Sequence, residues 1–258
     1  MNCVHPKAWG DMLVPCGYCI ACRKAKAREW SARLLHEMSY FKDGCFLTLT
    51  YMDEFLPQDK SVNLKELQLF FKRLRKNTNQ KIKYFACGEY GEKFKRPHYH
   101  AIVLGLGLSD EEKSQVQYSW HRGIVHFGTI DIKSMKYVTG YMLKGSAPEG
   151  CIKPFQTMSK SLGKRFAIDN QKYLLQDASF TVNGVRQTLP RYYTKILDIP
   201  NELKERKFSE VERKKYDEFK KRKYPNSNAI ISDFVSRKEQ RELNELAKLS
   251  QKKERKDL

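Results

Sequence analysis

The chain of 258 residues has no long apolar run; its longest, Ala101 to Leu108, is eight residues with two glycines inside it. A membrane-spanning helix needs roughly twenty, so no span is expected. A secretory leader is not expected either, because Asn2, His5, Lys7 and Asp11 stand where its apolar stretch would lie. There is no internal repeat, no low-complexity tract and no GxxxxGK[ST] loop, which excludes a P-loop motor that would unwind a duplex itself. No His-x-Thr occurs, which removes a metal-free phosphodiesterase built on two such motifs. Acidic residues are in deficit: 30 Asp plus Glu face 49 Lys plus Arg, a net charge of +19. Such an excess seeks a polyanion, nucleic acid before an anionic membrane surface. It is not a tail effect, since the first 200 residues hold 31 basic and 18 acidic side chains. With no export signal, the seven cysteines read as reduced thiols or metal ligands and not as a disulfide scaffold.

The periodicity of the chain gives an element order. Gly17 to Tyr40 reads as a helix with Trp30, Leu34, Leu35 and Met38 on one face. Phe46 to Tyr51 (FLTLTY) reads as a strand, and Leu64 to Arg75 as an amphipathic helix capped by Asn63. Ile82 to Tyr90 and Arg96 to Leu104 read as strands around a turn at Gly91. Ser109 and Glu112 form a capping box that opens a helix to about Trp120. Ile124 to Ile132 alternates as a strand, and Lys133 to Lys144 returns to helical spacing. Helices interrupting paired strands predict an α+β fold around an antiparallel sheet. Asn183-Gly184 marks a later hairpin. The segment from 201 to 258 is charged at 30 of its 58 positions, which predicts exposed helix or partial disorder. The expected organisation is a Cys-rich segment and helix over 1–45, a core over 46–146, an accessory region with a hairpin over 147–200, and the charged region over 201–258.

Pro97-His98-Tyr99-His100 is the most informative stretch. Residues i and i+2 of a strand share a face, so His98 and His100 point together, with Ile102 and Leu104 behind them. Two readings stand: a pair of half-exposed strand histidines, or two ligands for one divalent ion. Glu89 ends the preceding strand. It is either a solvated turn residue or the carboxylate that completes a two-His, one-carboxylate set with positions left for water and a phosphate oxygen.

Tyr137, Tyr141 and Lys144 fall on one helical face by their i, i+4 and i+3 spacing. They are either amphipathic residues at a helix edge or a chemical set. A phenolate can attack a phosphodiester if the leaving charge is stabilised, and Lys144 could neutralise charge close by. Cys16, Cys19 and Cys22 are spaced by three, with Cys3 upstream. A structural zinc is the favoured reading, beside an iron–sulfur cluster or incidental cysteines. Cys45, Cys87 and Cys151 are dispersed and expected to be buried thiols; His121 and His126 are expected to be structural.

Taken together, FLTLTY, Pro97-His98-Tyr99-His100 and Tyr137 to Lys144, in this order, resemble the three motifs of the HUH endonucleases. More narrowly they resemble the replication initiators of small single-stranded DNA phages of the microvirus group, gokushovirus branch, over about residues 1 to 145 and at Pro190-Arg191-Tyr192-Tyr193. The resemblance implies a five-stranded antiparallel sheet flanked by helices, with Mg²⁺ or Mn²⁺ held by His98, His100 and Glu89. It implies a rolling-circle initiator that nicks single-stranded origin DNA, keeps the 5′-phosphate on a tyrosine, frees a 3′-OH and rejoins ends. Relatives with two tyrosines often carry a lysine three residues after each. Here Gly140 replaces the first, so Tyr141 with Lys144 is the expected nucleophile and Tyr137 a second one. Members of the group share a cysteine-rich start. The implied setting is the cytoplasm of a bacterial host, with a host helicase and polymerase as partners and no membrane. The competing class is a non-catalytic module of α+β fold that binds single-stranded nucleic acid through basic and aromatic side chains.

Overall fold

The computed structural model describes residues 3, 5–9, 12–140, 147–182, 184–200, 240 and 244. In chain order the elements are β1 (Lys7–Trp9), β2 (Met12–Val14), α1 (Ile20–Met38), β3 (Gly44–Thr50), a 3₁₀ turn (Asp53–Phe55), α2 (Leu64–Thr78), β4 (Lys83–Tyr90), β5 (Pro97–Leu104), α3 (Asp110–Trp120), β6 (Val125–Thr129) and α4 (Ile132–Gly140). There follow β7 (Phe155–Met158), α5 (Lys164–Asp169), α6 (Gln171–Asp177), β8 (Ser179–Val182), β9 (Val185–Thr188) and α7 (Arg191–Ile196). No helix among the described residues is long and apolar enough to cross a membrane. The charged region expected over 201–258 lies outside the described residues, apart from Gln240 and Asn244.

The chain divides into two compact units: one of residues 1–26, 172–189 and 197–258, the other of residues 27–171 and 190–196. The second unit is built on a five-stranded antiparallel sheet in the order β6-β3-β5-β4-β7. Four of its strands follow the alternation expected from the sequence. The fifth, β7, comes from 155–158, a short segment without strong alternation, and takes the edge beside β4. Strand β6 stops at Thr129, earlier than its pattern suggests. Asp131 ends it by starting the next helix: its Oδ1 accepts from the Ser134 amide at 2.6 Å.

Each face of the sheet buries its own cluster. On one side Leu67, Phe70, Phe71 and Leu74 of α2 and Val116 and Trp120 of α3 pack on Leu47, Leu49, Tyr99, Ala101 and Val103. On the other, Leu34, Met135, Val138 and Leu162 cover Phe85, Cys87, Ile102 and Leu104. The caps match the sequence. Asn63 accepts from the Glu66 amide at 3.2 Å, and Ser109 and Glu112 complete a capping box. His121, expected to be structural, is the left-handed C-cap of α3.

The first unit contains the β1–β2 ribbon, the cysteine cluster and the β8–β9 hairpin. The hairpin sits at the predicted place, Ser179 pairing with Thr188 and Val182 with Val185.

Candidate metal centre

The β4–β5 ladder sets Glu89 directly opposite His98, and Cys87 opposite His100. Cross-strand partners share a face, so Glu89, His98 and His100 project from the sheet together, on the side covered by α4. Glu89 and His100 are each only 6% exposed. Glu89 Oε1 lies 2.8 Å from His98 Nε2 and 3.1 Å from His100 Nε2. The potential ligand atoms all lie within 4.8 Å of one another.

The outer nitrogens are tied down. His98 Nδ1 lies 3.2 Å from the Arg96 carbonyl oxygen, which only accepts, so Nδ1 carries a proton there. His100 Nδ1 is 2.9 Å from Thr48 Oγ1, and Thr48 is its register partner on β3. In its neutral form His98 therefore aims the lone pair of Nε2 at a carboxylate oxygen. Two acceptors face each other, and a positive charge is needed to reconcile them: a second proton or a cation. Burial pushes Glu89 up, but hydrogen bonding to His100 and His98 outweighs it and holds the carboxyl down at about 2. An ionised carboxylate and two imidazoles with oriented outer nitrogens fit a divalent ion.

Helix α4 adds Tyr137. Its ring stands edge-on to His100, with centroids 5.4 Å apart, and 6.2 Å from Phe46, while 42% of the residue remains exposed. Phe46 in turn stacks on His100 at 5.6 Å. Tyr141 and Lys144 lie outside the described residues. His126 is exposed and occupies the register position across β3 from Thr48. Thr48 and Phe46 were not singled out from sequence as site residues. They lie inside the FLTLTY motif, but only the pairing register of β3 with β5 discloses which imidazole each one meets.

In the first unit, Cys3, Cys16, Cys19 and Cys22 bring their sulfurs within 4.8 Å of one another. Cys16 and Cys22 sulfurs are 3.9 Å apart, as are those of Cys19 and Cys3. A disulfide would need about 2.05 Å, and all four are free thiols. Cys16 Sγ accepts from the Cys19 amide and Cys3 Sγ from the Cys16 amide, at 3.4 and 3.3 Å. Burial, opposed by the Gly17 backbone and reinforced by the neighbouring thiols, pushes Cys22 up to about 12. Of the dispersed cysteines, Cys45 and Cys87 are buried as expected; Cys151 is half-buried and directs its thiol at the Asp59 carbonyl.

The family model for the replication-associated proteins of the ORF2 type matches residues 44–146, the stretch that carries β3 to α4. Replication-associated protein VP4 of Bdellovibrio phage phiMH2K is 32% identical, over 75% of this chain and 76% of its own. Replication-associated protein ORF2 of Spiroplasma virus 4 is 29% identical, over 72% and 68%. Replication-associated protein ORF4 of Chlamydia phage 1 is 25% identical over 71% of this chain but only 53% of its own length. No solved structure matches. Likeness of this degree, sustained over three quarters of both chains in the Bdellovibrio phage relative, leads to one conclusion: the chain belongs to the phage replication-associated proteins, as a microvirus-like replication initiator.

Proposed function

We propose that this chain is a metal-dependent HUH endonuclease that starts rolling-circle replication by nicking single-stranded origin DNA. The observation that carries the reading is Glu89 Oε1, within 3.1 Å of both His98 Nε2 and His100 Nε2, with Tyr137 against His100. Mg²⁺ or Mn²⁺ bound there would polarise the scissile phosphate and neutralise its charge. His98, His100 and Glu89 would hold it, and the Arg96 carbonyl and Thr48 would orient the imidazoles.

The phenol oxygen of a tyrosine attacks phosphorus as its proton leaves to solvent. A phosphorus–oxygen bond to the tyrosine forms, and the bond to the 3′-oxygen breaks. The 3′-oxygen takes up a proton to become the priming 3′-OH, and the 5′-phosphate stays on the enzyme. Tyr141, with Lys144 offsetting charge, is assigned the first cleavage and Tyr137 the second; attack by the 3′-OH on the phosphotyrosine reverses the chemistry and joins ends. Because the sequence holds no P-loop, unwinding falls to a host helicase and synthesis to a host polymerase, in the cytoplasm of the bacterial host.

The Cys3, Cys16, Cys19 and Cys22 set is assigned a structural zinc. A tetrahedron with bonds of about 2.3 Å has edges of about 3.8 Å, which supports one ion among sulfurs 3.9 Å apart.

The deciding experiment incubates the protein and single-stranded origin oligonucleotides with Mn²⁺ and resolves the products on a denaturing gel. A covalent protein–DNA adduct is expected, lost with EDTA and in His98→Ala or His100→Ala, while DNA binding largely persists because phosphate contacts dominate it. Full cleavage in excess EDTA would overturn the reading.

A further inference from the structure

Strands β4 and β5, which carry the candidate metal ligands, are joined by a tight turn whose tip is Phe94. The tip carries charge as well as an aromatic ring: Lys93, Lys95 and Arg96 surround it, and Lys93 Nζ sits 5.3 Å from the centre of the Phe94 ring. Phe94 is 75% exposed. A phenylalanine this open costs solubility and contributes little to a core, so its retention at a basic tip calls for a partner that is both flat and anionic.

The tip is fixed relative to the metal ligands. Its neck is closed by two backbone hydrogen bonds, Gly91 N–H to the Arg96 carbonyl at 2.9 Å and Lys95 N–H to the Gly91 carbonyl at 3.1 Å. Lys95 takes the left-handed conformation, φ +51°, that turns the chain back. Arg96 anchors the base of the turn through Asp53 at 2.5 Å and the Tyr51 carbonyl at 3.0 Å. The Arg96 carbonyl is also the acceptor for His98 Nδ1. A Cβ on Gly91 would stand 3.9 Å from His98 Cε1. Phe94 is five residues from Glu89, so their backbones are at most about 17 Å apart. A single strand with a phosphate at Glu89, His98 and His100 therefore runs within reach of the tip.

We propose that Phe94 is a stacking platform for a nucleobase of the bound single-stranded DNA, close to the scissile phosphate, with Lys93 and Lys95 on the flanking phosphates. The assignment rests on the reading that the neighbouring site takes a DNA phosphate. Stacking on a phenyl ring tolerates any base, because each presents a π-face. Phe94 thus grips the strand near the cut without reading its sequence.

The test is the affinity of the full chain for a fluorescein-labelled oligothymidylate, read by anisotropy in EDTA so that no cleavage intervenes. Phe94→Ala is expected to bind about 5- to 100-fold more weakly, with the salt slope unchanged because no charge is removed. Phe94→Trp is expected to bind as tightly as the wild type, and Lys93→Ala to reduce the salt slope by about one. Wild-type affinity in Phe94→Ala, or failure of Phe94→Trp to restore a loss, would overturn the proposal. A parallel wild-type assay with Mn²⁺ separates the two readings. Nicking with no effect of Phe94→Ala on affinity sinks the stacking platform alone. Loss of affinity in a protein that never nicks leaves the platform standing and sinks the nuclease.

Discussion

Tyr137 turns the edge of its ring to His100 at a centroid distance of 5.4 Å and an interplanar angle of 75°. A phenol beside a ligand imidazole lies next to the phosphate that the ion would bind, so Tyr137 is placed for chemistry although Gly140 stands where a partner lysine is often found. Tyr141→Phe is expected to remove most of the first cleavage. Tyr137→Phe should nick a one-origin substrate nearly normally but fail to resolve one with two origins. Covalent-adduct yields of both variants on both substrates decide it: the reverse pattern exchanges the roles, and normal resolution by Tyr137→Phe makes this a one-tyrosine enzyme.

Thr48 orients His100 through its 2.9 Å contact with Nδ1. Groups that hold the far nitrogen of a ligand histidine are typically worth about 10- to 100-fold in metal affinity. Thr48→Val keeps the shape and removes the hydroxyl, so its Mn²⁺ affinity, read by titration calorimetry, should fall by about that factor. Thr48→Ser should recover it. An unchanged affinity in Thr48→Val would make the contact incidental.

Much of this was legible in the sequence, and the illegible parts share a cause. His98 and His100 announce themselves because a period of two places both on one face without any tertiary information. Glu89 could be nominated because only a tight turn separates its strand from theirs. Asn63 and the Ser109–Glu112 box are local chemistry, readable within four residues. Thr48 and Phe46 needed the pairing of β3 with β5, which is set about 50 residues away. Strand β7 has four residues with no fully buried side chain, and it exists because β4 offers an edge. The FLTLTY motif could be recognised as a strand without revealing which of its threonines meets an imidazole.

Zinc in the four-cysteine site should be present at one ion per chain in protein purified without chelators. Cys16→Ser or Cys19→Ser should lose it together with thermal stability, because a bound structural ion adds its binding free energy to folding. Elemental analysis that finds no bound metal in such protein would remove the ion, and an unchanged melting temperature in a metal-free variant would remove its structural role.

The last prediction concerns acid stability and rests on His36, 6% exposed, stacked on Phe166 at 3.8 Å and within 3.0 Å of the Tyr193 hydroxyl through Nδ1. Burial lowers its pKa from 6.5 to about 4, because the charged imidazolium loses its hydration between two rings. Between those values the unfolded chain binds more protons than the folded one, so stability rises with pH across this window and falls as pH drops from 6.5 towards 4. Integrated to pH 5, the loss is about 2 kcal/mol. Glu89 and Glu112, both held down at about 2, add their own losses only as pH falls below the ordinary carboxylate range of about 4.5. His36→Gln removes the titration, so its stability relative to wild type should improve by about 2 kcal/mol on going from pH 7 to pH 5 in urea unfolding. Comparing the two proteins at each pH cancels every titrating group they share. A difference that does not change between pH 7 and pH 5 would show that His36 either ionises freely in the folded state or is reached by water.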